Sequence, residues 1–301
     1  MTILITGATG LIGSALTDTL LQNGHSVHYL TTRRSAIREK ANLKGFFWDP
    51  NEGILDDDAL DSVEVIVHLA GATIAKKWTE SYKKTILESR TQTAQILFDA
   101  LKSSKGDVKQ FVSASGISYY PPSLTATYDE DHATADDSFL GRVVQAWEDA
   151  AHAFGKLGIK VAVVRTGLVL SSQDGALPKI AGPVRWGAGA PLGSGRQWQS
   201  WIHIVDVAGI YQEIITHERE GVFNAVAPYP VTNSQLTKAI AQVLGKPLIL
   251  PNVPAFVLKG VFGQMAVLLL KGQKVLPKRL EALGYAFKFP NIESALSNIL
   301  K

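Results

Sequence analysis

The stretch Thr2-Ile3-Leu4-Ile5, followed by Thr6-Gly7-Ala8-Thr9-Gly10-Leu11-Ile12-Gly13, decides how the rest of the chain is read. The first four residues are apolar or β-branched and long enough for one buried strand. The glycines then recur as G-x-x-G-x-x-G and lead into an amphipathic helix. At a dinucleotide site each would have a job. Gly7 allows a sharp turn off the strand, Gly10 lets a pyrophosphate approach bare backbone, and Gly13 lets the helix pack close to the sheet. The helix N-terminus adds free N–H groups and a positive dipole end. A plain tight turn between strand and helix does not need three glycines at this spacing. Gly7, Thr9, Gly10, Leu11, Ile12 and Gly13 are therefore the expected phosphate cradle.

The surrounding chain fits that start. Its 301 residues suit one large domain, or a large one with a small one. Thirty basic and 27 acidic residues leave a net charge of +3, too balanced to argue for nucleic acid. The absence of cysteine excludes disulfides, thiolate metal sites and cysteine nucleophiles. No secretory signal is visible, so a cytoplasmic location is expected. The most apolar segment, Val253 to Leu270, is interrupted by Lys259, Gly260, Gly263 and Gln264, and no transmembrane segment is expected. It reads as a buried or groove-lining helix, with a membrane-surface helix as the minor alternative.

Helix one is expected from Leu11 to Asn23, stopping at Gly24. Strand two, Val27 to Leu30, runs into Thr31-Thr32-Arg33-Arg34. An acidic residue at this place would bond the ribose 2′-hydroxyl of NAD, whereas arginine suits a 2′-phosphate, so Arg33 and Arg34 point to NADP(H). Val63 to Leu69 reads as a buried parallel strand leading to Ala70-Gly71, where a cofactor would lie across the strand end. Thr79 to Lys102 is helical, as one helix or two. Val108 to Ser113 is the next strand, ending in Ser113-Ala114-Ser115-Gly116 with Tyr119-Tyr120 beyond. Ligands sit at the carboxyl ends of strands in doubly wound sheets, so these hydroxyls are placed for chemistry. Asp129-Glu130-Asp131 reads as a solvated loop with no metal. A helix follows over Ser138–Lys156, then a strand over Lys160–Arg165. Residues 172–200 are rich in glycine and proline, with tryptophans interleaved, and suit a pocket wall. Asp206 reads as an N-cap.

Several blocks carry a resemblance. Thr6-Gly-Ala-Thr-Gly-Leu-Ile-Gly13, His68-Leu-Ala-Gly71, Ser89-Arg90 and Trp147-Glu148 resemble extended short-chain dehydrogenases. Arg165-Thr-Gly-Leu-Val-Leu170, Gly193-Ser-Gly-Arg-Gln-Trp198, Trp201-Ile-His-Ile204 and Asn224-Ala225 are closer still to the atypical branch called the predicted sugar-nucleotide epimerase family. Val275-Leu-Pro-Lys-Arg-Leu280 is similar to the small uncharacterised domain that closes those proteins. The resemblance implies an α/β fold: a Rossmann-type, doubly wound parallel sheet with a smaller C-terminal substrate domain. Its expected division is residues 1–166, with a return near 202–226, against 167–201 and 227–301. It adds Leu69, Ala70, Gly71, Ser89, Ser113 and Thr166 to the expected NADP(H) contacts.

Typical relatives use a tyrosine with a lysine four residues on, in one helix, so that the ammonium lowers the phenol pKa. No tyrosine of this chain has that lysine. Alignment on Glu148 puts Leu140 and Val144 at the two places, and neither moves a proton. The remaining catalytic candidates are Ser115, Tyr119 and Tyr120, with His203 a weaker one. The expected chemistry is reduction of a carbonyl with a hydroxyl as proton donor. In sugar-nucleotide relatives an arginine two residues before the Trp201 position clamps the diphosphate. Here that place is Gln199, so nucleotide sugars are expected to bind poorly. Two readings follow: an NADP-dependent oxidoreductase or epimerase acting on a small molecule, or a non-catalytic NADP(H)-dependent sensor or scaffold.

Overall fold

In the computed structural model, which describes residues 1–103 and 107–301, the alternating apolar residues of the strands sort onto two faces of one sheet. The seven main strands are β1 (Thr2–Thr6), β2 (Ser26–Thr31), β3 (Leu43–Asp49), β4 (Val63–His68), β5 (Gln110–Gly116), β6 (Lys160–Thr166) and β7 (Gly221–Ala225). Ile3 and Ile5 of β1, Val65 and Val67 of β4, and Val112 of β5 join one buried cluster. Leu4, Ile66 and Phe111 join the other. Helices α1 (Leu11–Gln22) and α5 (Ile204–Thr216) cover the first face. Helices α2 (Glu80–Ser103) and α3 (Phe139–His152) cover the second.

All seven strands are parallel, in the order β7-β6-β5-β4-β1-β2-β3. The short segments Glu39–Lys40 and Ile54–Leu55 pair antiparallel with β3. The chain direction across the sheet reverses between β1 and β4, the place where doubly wound sheets open a ligand crevice. Register sets Thr6 beside His68 and His68 beside Ser113, so three strand ends meet there. The long helical stretch after β4 is a single helix.

A third apolar cluster gathers α4 (Leu177–Arg185), α6 (Asn233–Leu244) and the terminal helix Ile292–Leu300 around Trp201. The C-terminal part is stitched to the sheet by buried polar groups, and two of these correct the sequence reading. Glu130 is not solvated: it is 7% exposed, and its carboxylate accepts from the backbone N–H of Asn224 (2.9 Å) and of Arg279 (3.3 Å). Asp206 does not cap α5. The cap is His203, whose Nδ1 accepts from Val205 N–H. Asp206 lies inside the first turn and accepts from the N–H groups of Lys288 (2.6 Å) and Phe289 (3.0 Å).

The apolar stretch 253–270 also differs from expectation. It breaks at Gly263, whose φ of +56° favours glycine, and the helix before it, α7 (Ala255–Phe262), buries only Leu258. Only the part beyond it, at Val267 and Leu268, lines a groove. Among the described residues no helix is long and apolar enough to cross a membrane.

Candidate functional site

The first half of the site is made of backbone. Thr6 ends β1, and its Oγ1 accepts from the N–H groups of Leu69 (3.1 Å) and Ala70 (3.0 Å), which locks the ends of β1 and β4 together. Gly7 turns the chain at φ +68°, and a β-carbon there would stand 2.9 Å from the Leu69 carbonyl. One on Gly13 would collide with the Gly7 carbonyl oxygen. Gly10 N–H closes the turn on Gly7 O at 2.9 Å. Gly10 is the extended N-cap of α1; no side chain caps the helix, and its first turn holds no acid. Thr9 and Gly10 are exposed, with Leu11 and Ile12 half-buried behind them. The turn is thus a bare cradle that any β-carbon would fill, and it fits a dinucleotide pyrophosphate.

Beyond β2, Arg33 and Arg34 are exposed. The Arg34 guanidinium lies 3.8 Å from the centre of the Phe47 ring, and the Arg33 N–H bonds Thr31 Oγ1. Neither arginine forms an ion pair among the described residues. Two guanidiniums without ion pairs among the described residues therefore stand exposed beyond the end of β2.

The second half is made of side chains. A cavity of about 590 Å³ opens at the carboxyl ends of β5 and β6, between α3 and the C-terminal segment 264–273. Leu140, Val144 and Trp147 of α3 form one wall, Val267 and Leu268 face them, and Ser115 and Thr166 end the strands beneath. Leu140 and Val144 make this wall apolar where typical relatives hold a tyrosine and a lysine. Gln199 lines the cavity, whereas Arg196 is exposed and does not.

Ser115 is 5% exposed and begins a buried relay. Its Oγ donates to Glu148 Oε1 at 2.6 Å. Glu148 is gripped in bidentate fashion by Arg165, through Nε (2.8 Å) and Nη2 (2.7 Å). Arg165 Nη1 donates to Tyr120 Oη at 3.0 Å, and Tyr120 Oη donates to Asn224 Oδ1 at 2.9 Å. With its proton committed to Glu148, Ser115 has only lone pairs to offer the cavity.

This network places both tyrosines outside the cavity lining. Tyr120 is fully buried, does not line the cavity, and has both sides of its hydroxyl occupied. Burial outweighs Arg165 and holds its phenol above the ordinary pKa. Tyr119 stacks on the Arg165 guanidinium at 3.3 Å, and its hydroxyl donates to the Ala133 carbonyl. His203 caps α5 and pairs through Nε2 with Asn298 Oδ1; burial lowers its pKa to about 4. Ser113 is fully buried and turned onto the Ala114 carbonyl. Ser89 Oγ accepts from Ala72 N–H at 2.8 Å and so shapes the Gly71 turn.

Two further groups stand out, Arg90 in the cavity lining and His68 buried behind it. Arg90 lies against Gly71, where a β-carbon would stand 3.0 Å from its Cζ. Its Nη1 donates to the Ile86 carbonyl (2.8 Å), and the guanidinium sits 4.7 Å from the centre of the Trp147 ring. Burial lowers its pKa to about 10, which leaves it charged at neutral pH. His68, fully buried, accepts from Trp147 Nε1 at Nδ1 and so donates from Nε2 to Thr93 Oγ1. Burial first, and the Arg90 charge second, lower its pKa to about 3 and keep it neutral. Glu148 and Arg165 had a readable signal: an acid at core spacing on the apolar face of α3, and a base directly after the apolar run Val161–Val164.

The parallel sheet, the glycine cradle and the cavity at the strand ends define a Rossmann-type protein of the extended short-chain dehydrogenase class. Comparison makes the assignment specific. The chain belongs to the NAD dependent epimerase/dehydratase family, whose model matches residues 3–226, and a domain of unknown function (DUF1731) matches residues 253–299. It is 38% identical to Epimerase family protein SDR39U1 of Homo sapiens over the whole of both chains. It is 37% identical to Epimerase family protein SERP0438 of Staphylococcus epidermidis, over 99% of this chain and 98% of the relative. A crystal structure of the human SDR39U1 protein with NADPH superposes with a TM-score of 0.87 at 36% identity, covering 99% of each chain.

Proposed function

We propose that the protein is an NADP(H)-dependent oxidoreductase or epimerase acting on a compact, mostly apolar molecule. The observation that carries the reading is the adjacency of a bare glycine cradle, flanked by two arginines without ion pairs among the described residues, to an open cavity floored by the hydroxyls of Ser115 and Thr166. Gly7, Gly10 and Gly13 would hold the pyrophosphate, and Arg33 and Arg34 the 2′-phosphate. NADPH in the human relative supports the same cofactor here. Bound there, the nicotinamide supplies two-electron exchange at a carbon bearing a hydroxyl or carbonyl oxygen.

The residues of this chain would do the rest. Apolar walls exclude water, and Arg90 sets a fixed positive charge on one side. Ser115 acts as a hydrogen-bond acceptor for a substrate hydroxyl, because its own proton goes to Glu148. That turns the sequence expectation round: Ser115 is placed to accept a hydrogen bond from the substrate rather than to donate one. Gln199 in the wall and Arg196 outside it count against a nucleotide sugar, since neither sets a guanidinium at the diphosphate position. A cavity left unfilled by side chains favours the enzyme over the sensor reading. Titration calorimetry tests the cofactor assignment. NADPH should bind more tightly than NADH, and Arg33→Ala with Arg34→Ala should cost NADPH about 2 kcal/mol while sparing NADH. Equal affinity for the two in the unmutated protein would overturn it.

A further inference from the structure

Helix α7 has an apolar surface with nothing upon it. Leu258 is its one buried residue, while Phe256 is 75% and Val261 71% exposed, and Val257 and Phe262 are exposed beside them. Leu258 marks the inward side. At 3.6 residues per turn Phe256 and Gly260 then face away from it and Val257 lies to one side, while Val261 and Phe262 turn back toward Leu258 and are still exposed. A β-carbon on Gly260 would meet nothing within 4 Å. Ile249 and Leu250, just before the helix, are exposed as well. A run of this kind marks an interaction surface.

The charge around it is one-sided. Residues 221–280 contain no Asp or Glu, but six lysines and one arginine, in a chain whose net charge is only +3. Lys278 and Arg279 are paired with Asp131, far from α7 in the sequence. Lys246, Lys259 and Lys271 bracket the apolar stretch and form no ion pair among the described residues.

Length and charge together select the occupant. Eight residues of helix span about 12 Å, too little to cross a hydrocarbon core of about 30 Å. A second copy seated on so short a helix would bury far less than the roughly 800 Å² per partner of a stable interface, and it would bring like charges together. An anionic bilayer surface meets both demands: apolar side chains enter the headgroup boundary, and lysines pair with lipid charge. We infer that residues 246–271 form a membrane-surface docking element, which seats α7 in the interface of an anionic bilayer through Phe256, Val257, Val261 and Phe262. The same segment continues into Val267 and Leu268 of the cavity wall, so docking sets the cavity close to the lipid.

Flotation of the full chain with vesicles tests this directly. The protein should float with phosphatidylcholine vesicles doped with phosphatidylserine, stay behind with phosphatidylcholine alone, and be released by salt. Lys246→Glu with Lys259→Glu should weaken binding at least ~10-fold, each lysine being worth about 1 kcal/mol at such a surface. Phe256→Ser with Val261→Ser should abolish it. Both variants sit on the surface and should keep the unmutated unfolding midpoint and NADPH affinity. No flotation with either lipid, or binding indifferent to lipid charge and salt, overturns the inference. A dimer in sedimentation velocity that Phe256→Ser dissolves, without vesicle binding, assigns the face to a second copy and overturns it too.

Discussion

The two halves of the site are built in opposite ways. The cradle at Gly7–Gly13 is backbone, contained within one turn, and works through what is missing from it: side chains at three glycines. The relay behind the cavity floor is side chain and is assembled from β5, α3, β6 and β7. Ser115 meets Glu148 33 residues on, and Tyr120 meets Asn224 104 residues on. A backbone site tolerates almost no change at its few positions but is indifferent to the rest of the chain. A side-chain site spreads its requirements, and each member leans on another.

The largest effect should separate the halves at once. Gly13→Val drives a branched side chain into the Gly7 carbonyl, and should destabilise the fold by about 5 kcal/mol or leave it without measurable NADPH affinity. Thermal unfolding and calorimetry would show it. A Gly13→Val protein that binds NADPH normally would mean the turn is not the cradle.

The next effect lies in the other half. Glu148→Ala leaves Arg165 buried and unpaired, and should cost about 3 kcal/mol in denaturant unfolding. Glu148→Leu with Arg165→Met should recover most of that loss, since a buried pair replaced by apolar groups of similar size is close to neutral. If the double variant is as unstable as the single one, the network is more than a pair, and Tyr120 and Asn224 carry part of it.

The smallest effect sharpens the chemistry. The chain has no cysteine, so Ser115→Cys introduces its sole thiol. A thiol that donates to the Glu148 carboxylate should titrate above the ordinary value of about 8.5. Arg165 is already committed to Glu148, and the other charged groups lining the cavity are Arg90, Asp136 and Lys271. Thiolate absorbance against pH reads the result, and Glu148→Gln in the same background should lower it. A thiol pKa below about 8.5 would mean that Ser115 faces donors, and would restore the reading of a hydroxyl that gives up a proton.

How much was legible in the sequence follows the same division. The main strands along the chain and the glycine turn after β1 come from local patterns: an apolar run and glycine spacing. Each is decided within about ten residues. The relay was not legible, although Glu148 and Arg165 were both visible as charges inside apolar patterns. Which acid meets which base depends on register between β5 and β6, where Ser115 lies beside Arg165. The position of Tyr120 was not legible for a related reason. The turn Ile117–Tyr119 sends it behind the strand end rather than over the cavity, and no local pattern reports that direction. The stretch 253–270 was misread because hydrophobicity alone does not say which side of a helix has a neighbour.

The buried carboxylates also set a timetable. Asp206 takes its hydrogen bonds from Lys288 and Phe289, 82 and 83 residues later, and Glu130 takes one from Arg279, 149 residues later. A ribosome adding roughly 5–20 residues per second delivers those partners only many seconds after the sheet strands have emerged. Until then both acids must stay wet. The nascent sheet therefore cannot close over them early, and its final dehydration waits for nearly the last residue of the chain.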